Sequence, residues 1–228
     1  LQNDKVEPLL PHLYNLIFSK VRFMDMHKIY EDIFDRIPLS LLQYSWFLEN
    51  ISTTPRPVYD FLKRLIDVVL SFVLGLCSLV LYPLVWLVVR LDDGGPLFIA
   101  QERAGKNNQP IKIYKFRSMR SNDQGRYDSE EAEINMVTRA GEFLRKTRID
   151  ELPQLWNVLQ GDLSLIGPRP ELPALVKTYE SEIPYYNVRH LIKPGLSGWA
   201  QIYHDNHPHH SEAVSATKEK LSYDLYYI

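Results

Sequence analysis

From Val68 to Val89 the chain runs VVLSFVLGLCSLVLYPLVWLVV, 22 residues without a charged side chain. A stretch of about 18 or more apolar residues is long enough for a membrane segment, and as a helix this run would reach roughly 33 Å. It lies well inside the chain and no small-residue cleavage site comes after it, so it is not a secretory signal. Pro83 interrupts it: proline lacks the backbone N–H and clashes with the preceding turn, so a bend or break is expected near Tyr82-Pro83. The straight part before the break, roughly 22 Å, falls short of the hydrocarbon thickness. Positive charge flanks both ends, Lys63 and Arg64 before and Arg90 after, which places both ends on the cytoplasmic side. A re-entrant helix-break-helix satisfies the proline and the charges together. A kinked single span satisfies the length alone.

The rest of the sequence is that of a folded protein. Its 228 residues carry 26 basic and 28 acidic side chains, and 45% are hydrophobic, which excludes a disordered or low-complexity chain. A single cysteine, Cys77, excludes an internal disulfide framework and a Cys-rich zinc module. A formal charge of −2 argues against a dedicated nucleic-acid binder. The chain begins at Leu1 and stops abruptly after Tyr226-Tyr227-Ile228, as a piece of a longer protein would.

Residues 1–57 read as a helical connector or the remnant of an upstream domain, able to pack on the downstream domain or to mediate a homodimer. Thr53-Thr54-Pro55-Arg56-Pro57 is an extended linker, since each proline disfavours helix in the residue before it. The domain boundary is placed there, with a second unit over 58–228. Beyond the apolar run, 95–100 and 111–116 read as a strand pair around a turn at 105–108. Helices are expected over 142–147, 152–160 and 172–179, with a turn at 166–170. The fold class is therefore α+β: a mostly helical domain with a small β-hairpin and the membrane segment. Residues 101–148 hold 11 basic against 7 acidic side chains, an excess suited to anionic lipid or to a phosphate-bearing substrate.

The most informative segment is Arg145-Lys146-Thr147-Arg148-Ile149-Asp150-Glu151-Leu152-Pro153-Gln154-Leu155-Trp156. Pro153 is tolerated only in a first turn, which sets the helix start at Asp150-Glu151. Two carboxylates at a helix N-terminus, with Arg145, Lys146 and Arg148 upstream, are expected to be ionised. An ionised aspartate can act as a nucleophile or ligate a hard metal, although the pair alone reads equally as a helix cap. Downstream, Gly167-Pro168-Arg169-Pro170 fixes Arg169 in a rigid loop suited to phosphate oxygens. Further on, Pro194-Gly195-Leu196-Ser197-Gly198-Trp199-Ala200-Gln201 forms a Gly-rich turn.

Together with Lys63-Arg64-Leu65-Ile66-Asp67, Gln101-Glu102-Arg103-Ala104-Gly105 and Lys115-Phe116-Arg117-Ser118-Met119, these segments stand in the order seen in one family. The chain resembles the monotopic phosphoglycosyl transferases, bacterial sugar transferases acting on a polyprenyl carrier, of the longer kind with an upstream domain. The resemblance implies transfer of a sugar-1-phosphate, by default a hexose, from a UDP-sugar to polyprenyl (undecaprenyl) phosphate with release of UMP. That would be the first membrane step of exopolysaccharide, capsule or O-antigen assembly, at the cytoplasmic face of the bacterial inner membrane. It implies Asp150 as the nucleophile of a covalent phosphosugar intermediate and Asp150 with Glu151 as the place for Mg²⁺. It also implies the re-entrant segment, although some members break at Ser-Pro where this chain has Tyr82-Pro83. For such substrates Lys115, Arg117, Arg145 and Arg169 are the expected cationic clamp, with Arg117 and Arg145 also open as structural partners of nearby acids. Gln201 and Trp199 face the nucleotide or form a buried turn.

Two competing readings remain at this level. His204-Asp205-Asn206-His207-Pro208-His209-His210 holds zinc-type ligands, but at spacings that match no known ligand pattern and with Pro208 breaking any helix. A non-enzymatic membrane scaffold of a polysaccharide assembly complex would tolerate loss of Asp150.

Overall fold

The computed structural model describes residues 7–19, 24–51, 56–92, 94–119, 137–203 and 214–228. The histidine-rich segment at 204–210 lies outside the described residues. The architecture is α+β, mostly helical, with a β-hairpin and a second, very short sheet. The N-terminal segment contributes the short helices α1 (Leu10–Leu16), α2 (Met26–Phe34) and α3 (Tyr44–Asn50).

Helix α4 (Pro57–Ser78) opens with Pro57 in its first turn, where the missing N–H costs nothing, and with Asp60 toward the positive end of the dipole. Next come a tighter turn over Leu79–Leu81 and then α5 (Tyr82–Asp92). Tyr82 N–H donates to the Leu79 carbonyl three residues back. The interruption thus lies one turn before Pro83, because proline sits comfortably in the first turn of α5 and the preceding turn is the one deprived of a donor. Backbone angles stay right-handed through the joint, at φ −67 for Ser78 and −59 for Tyr82. The whole stretch Pro57–Asp92 is long and apolar enough to cross a membrane, and little of it is buried. Its buried residues, Asp67, Ser71, Ser78, Val85 and Val89, recur at steps of four and seven and form one stripe along both helices. Val69, Phe72, Val73, Leu76, Val80, Leu84 and Leu87 point outward.

Both halves of this helical stretch rest on the same body. On α4, Arg64 donates to the Val158 and Leu159 carbonyls at 2.6 and 2.8 Å, capping the end of α7 (Gln154–Gln160). Asp67 accepts from Ser164 Oγ at 2.8 Å and from the Leu165 N–H at 3.1 Å. On α5, Val85 and Val89 pack with Phe116 and Leu144.

Strands β1 (Phe98–Ala104) and β2 (Pro110–Phe116) pair antiparallel, Phe98 opposite Phe116 and Ala104 opposite Pro110. The first strand starts three residues later than expected and runs through Gln101-Glu102-Arg103-Ala104. Gly94, at φ +71, and Pro96 keep the preceding residues out of the strand, with a bend at Leu97. Gly105 N–H closes the hairpin on the Gln109 carbonyl at 2.8 Å, with Asn107 and Asn108 in left-handed conformation. A parallel pair, β3 (Ser164–Ile166) and β4 (Gly195–Ser197), was not expected, being too short to show a period. It sets Gly167-Pro168-Arg169-Pro170 beside Pro194-Gly195-Leu196-Ser197. A Cβ on Gly195 would stand 2.1 Å from the Gly167 nitrogen, so only glycine fits.

Helix α6 (Arg139–Lys146) begins three residues earlier than expected because Thr138 caps it, its hydroxyl accepting from Gly141 N–H at 2.9 Å. The expected 152–160 helix resolves into a tight turn at Ile149–Glu151 and then α7, which ends at Gly161 in left-handed conformation. Asn157 of α7 is fully buried and clamps β2: its Oδ1 accepts from Tyr114 N–H at 3.0 Å and its Nδ2 donates to the Lys112 carbonyl at 2.7 Å. Asn157→Ala leaves both backbone groups without these partners and is expected to cost about 2–3 kcal/mol, measured by urea unfolding.

Helix α8 (Pro173–Glu182) and the C-terminal helix α10 (Val214–Tyr227) enclose the largest cluster, with Val176, Tyr179, Ile183, Leu221 and Leu225. Ile37 and Leu42 belong to that cluster, so part of the N-terminal segment is built into the body. The Trp199 indole, on the short helix α9 (Trp199–Tyr203), donates to the Asp35 carbonyl at 3.0 Å, and Arg36 pairs with Glu219 at 2.6 Å.

Candidate active site

Asp150 and Glu151 do not sit in the first turn of α7. They belong to their own tight turn, which starts from Arg148 in a left-handed conformation, φ +58. Both carboxylates are buried, Asp150 at 6% exposure and Glu151 at 8%, and neither stands at the start of α7, where the expected helix dipole would act.

The two then part company. Three cations converge on Glu151 Oε1: Arg169 Nη2 at 2.8 Å, Lys115 Nζ at 3.3 Å and Arg148 Nη1 at 3.6 Å. Burial alone would raise the Glu151 pKa, but Arg169, Lys115 and Arg148 together hold it at about 2. Lys115, on β2, is pushed down to about 8 by burial, against the pull of Glu151. Asp150 has no such clamp. Its Oδ1 is buried without a hydrogen-bond partner among the described residues. Burial raises its pKa, Glu151 adds to the rise, and Lys115, Arg145 and Arg148 oppose it.

Arg169 is aimed by what lies behind it. Its carbonyl accepts from Arg189 Nη2 at 2.9 Å. Arg189 is 2% exposed and pairs with Asp224 at 2.8 Å, with Glu171 at 3.8 Å, and donates to the Tyr186 hydroxyl at 2.7 Å. Lys220 pairs with Glu171 as well, and the Glu171 carbonyl accepts from Ala104 N–H of β1 at 2.8 Å. Two buried acids, a buried arginine and the partly buried Lys220 thus brace the Pro168-Arg169-Pro170 loop against α10 and the hairpin.

In front of Glu151 and Arg148 lies a cavity of about 580 Å³. Leu74 and Leu81 of the α4–α5 stretch, with Leu152, Leu155 and Ile202, give it an apolar wall. Gln201, on α9, lines it too, with Oε1 buried and unpartnered among the described residues. One cavity therefore has a charged end and an oily side facing the membrane-type helix.

Of the residues expected from the sequence, the fold gathers Asp150, Glu151, Lys115, Arg145 and Arg169, with Gln201 across the cavity. Arg117 donates Nε to the Met119 carbonyl at 3.1 Å and lies against Gly95, ahead of β1. Trp199 anchors the N-terminal segment. Arg148, expected only as part of the basic run that favours ionisation of the pair, and Arg189, not expected at all, join the arrangement. Arg148 was visible as part of a basic run, but its turn conformation was not; Arg189 stood in no recognisable motif.

The sequence profile of the bacterial sugar transferases matches residues 58–228, about three quarters of the chain. The chain belongs to the bacterial sugar transferase family. This family member is 41% identical over 179 residues to the UDP-N-acetylgalactosamine-undecaprenyl-phosphate N-acetylgalactosaminephosphotransferase of Aeromonas hydrophila, covering 78% of the chain and 41% of that protein. It is 36% identical over 191 residues to the UDP-glucose:undecaprenyl-phosphate glucose-1-phosphate transferase of Escherichia coli K12, covering 79% and 41%. A protein of the same name from Xanthomonas campestris pv. campestris is 34% identical over 251 aligned positions, covering 100% of this chain and 50% of its own length. The chain thus spans half or less of the length of these relatives.

Proposed function

We propose that this bacterial sugar transferase moves a sugar-1-phosphate, a hexose phosphate by default, from a UDP-sugar to polyprenyl phosphate, releasing UMP. The observation that carries the reading is the buried, unpartnered Asp150 Oδ1 next to Glu151, whose Oε1 is held by three cations and which itself lines the charged end of a cavity with an apolar wall. Asp150 attacks the sugar-bearing phosphorus and displaces UMP, leaving an acyl phosphate. The terminal oxygen of polyprenyl phosphate then attacks the same phosphorus and returns the aspartate as carboxylate. Two displacements avoid a direct meeting of two anionic substrates in a partly dehydrated interface. Lys115, Arg148 and Arg169 balance the diphosphate, Arg145 adds to that field, and Gln201 offers a hydrogen-bonding group for the donor. Of these, Arg169 is the one best suited to bidentate contact with phosphate oxygens.

The residues present fit one Mg²⁺ sparingly. Among the described residues no three His, Cys, Asp or Glu side chains converge. The orphaned Asp150 oxygen, with Glu151 next to it, is a hard donor of the kind that shares Mg²⁺ with substrate phosphates. Bound there, the ion would neutralise the diphosphate and the departing UMP. Treatment with EDTA is expected to abolish UMP release and added Mg²⁺ to restore it; restoration by Zn²⁺ alone would favour a zinc centre.

The membrane reading is the re-entrant one, at the cytoplasmic face of the bacterial inner membrane. Lys63, Arg64 and Asp67 on α4 and Val85 and Val89 on α5 all pack on one soluble body, and basic residues stand at both ends. A helix crossing to the far side would carry one of these ends away from that body. The exopolysaccharide, capsule or O-antigen context comes with the reaction. A scaffold needs no buried, unpartnered carboxylate beside a cluster of cations.

A further inference from the structure

A second cavity, of about 430 Å³, opens toward the N-terminal end of α4, between the first turns of that helix, β3 and the segment Ile192–Lys193. Four cations line it, Lys63, Arg64, Lys106 and Lys193, against Asp60 and Asp67. Two of these cations are already committed. Lys63 donates to Ser164 Oγ at 2.6 Å and stands 3.9 Å from Asp67, and Arg64 caps α7. The ammonium groups of Lys106 and Lys193 make no ion pair or hydrogen bond among the described residues.

The charges crowd one another. Arg64 Nη2 and Lys193 Nζ lie 3.4 and 3.5 Å from the point where a Cβ on Gly161 would stand, so at most about 7 Å separates them. Burial, then Arg64 and Lys106, lower the Lys193 pKa, while Asp67 and Asp162 pull weakly the other way. Like charges this close in a concavity repel unless an anion sits between them. The cavity lies on the first turns of α4, which carry Phe61, Leu62 and Leu65 exposed on their opposite face and lead directly into the long apolar stretch.

We infer that this cavity is a phosphate-binding site, with Lys106 and Lys193 holding the phosphate group of an anionic membrane lipid at the headgroup level. Its chemistry is that of a phosphate monoester or diester held by paired ammonium groups. A free phosphate offers the same oxygens, whereas a lipid phosphate also brings acyl chains that can lie along the apolar stretch that α4 enters. The site shares no residue with the cavity in front of Glu151 and Arg148, so it stands or falls apart from the proposed reaction.

The test is native mass spectrometry of the full chain in detergent, offered phosphatidylglycerol, phosphatidylcholine or inorganic phosphate. The wild type is expected to retain one phosphatidylglycerol about tenfold or more in preference to phosphatidylcholine. The double variant Lys106→Ala/Lys193→Ala should lose that preference. Both side chains are solvent-accessible enough to be replaced without loss of folding, and the variant's UMP release should match the wild type. A phosphate adduct that the variant loses, with no lipid preference, would overturn the lipid assignment and make the ligand a free phosphate. Equal retention of both lipids by both proteins, with no phosphate adduct, would overturn the site.

Discussion

Asp150→Asn is expected to lower UMP release by about a thousandfold or more while leaving the fold intact. The amide is nearly the same size as the carboxylate, and burial disfavours a charge there, so the replacement removes a desolvated anion rather than a structural contact. Glu151 is not a substitute. Its Oε1 is held by Arg169, Lys115 and Arg148, and with a pKa of about 2 it is the weaker base. A steady-state UMP assay on both proteins, with a thermal melt to show equal folding, checks this. A variant releasing UMP at a tenth of the wild-type rate or faster would remove Asp150 from the nucleophile's role.

Asp224→Ala should have the largest effect on stability. Asp224 and Arg189 are each 2% exposed and 2.8 Å apart. Removing the carboxylate leaves a buried guanidinium with the more distant Glu171 as its counter-charge, beside the Tyr186 hydroxyl and the Arg169 carbonyl, a loss of about 3–5 kcal/mol. For a domain of this size that is roughly a 10 °C fall in Tm. The same change takes away the acid that positions Arg189 against the Arg169 carbonyl, so the surviving folded protein should show a raised KM for the donor. Calorimetry and a donor titration at low temperature separate the two effects.

The contrast between Asp150 and Glu151 shows where the sequence is legible and where it stops. Adjacent acids after a basic run, with a proline close behind, drew attention to the position. Which acid is clamped and which is left orphaned depends on Lys115 from β2 and Arg169 from a loop after β3, each brought in by tertiary packing. The dipole of α7 does not begin at these acids, because the chain makes a tight turn first; Arg148 in left-handed conformation separates that turn from α6. The apolar run and Pro83 were readable from composition and covalent chemistry, since a missing N–H acts whatever surrounds it. The β3–β4 pair was not, because three-residue strands carry no period. Arg189 was hidden for a different reason: a buried arginine looks like any surface arginine until its two acids, one on α10 and one after the Pro168-Arg169-Pro170 loop, are folded against it.

The central claim is that the transferred phosphate passes through a bond to Asp150. It is tested most directly by giving the protein a panel of UDP-sugars with Mg²⁺ but no polyprenyl phosphate, then measuring intact mass and mapping the modified peptide. The account predicts UMP in amounts no greater than the protein, a mass gain of one sugar phosphate on the peptide holding Asp150, and its discharge when polyprenyl phosphate is added. Rapid turnover on adding the acceptor, with no mass gain before it under any donor, would mean direct transfer between the substrates and would contradict the account.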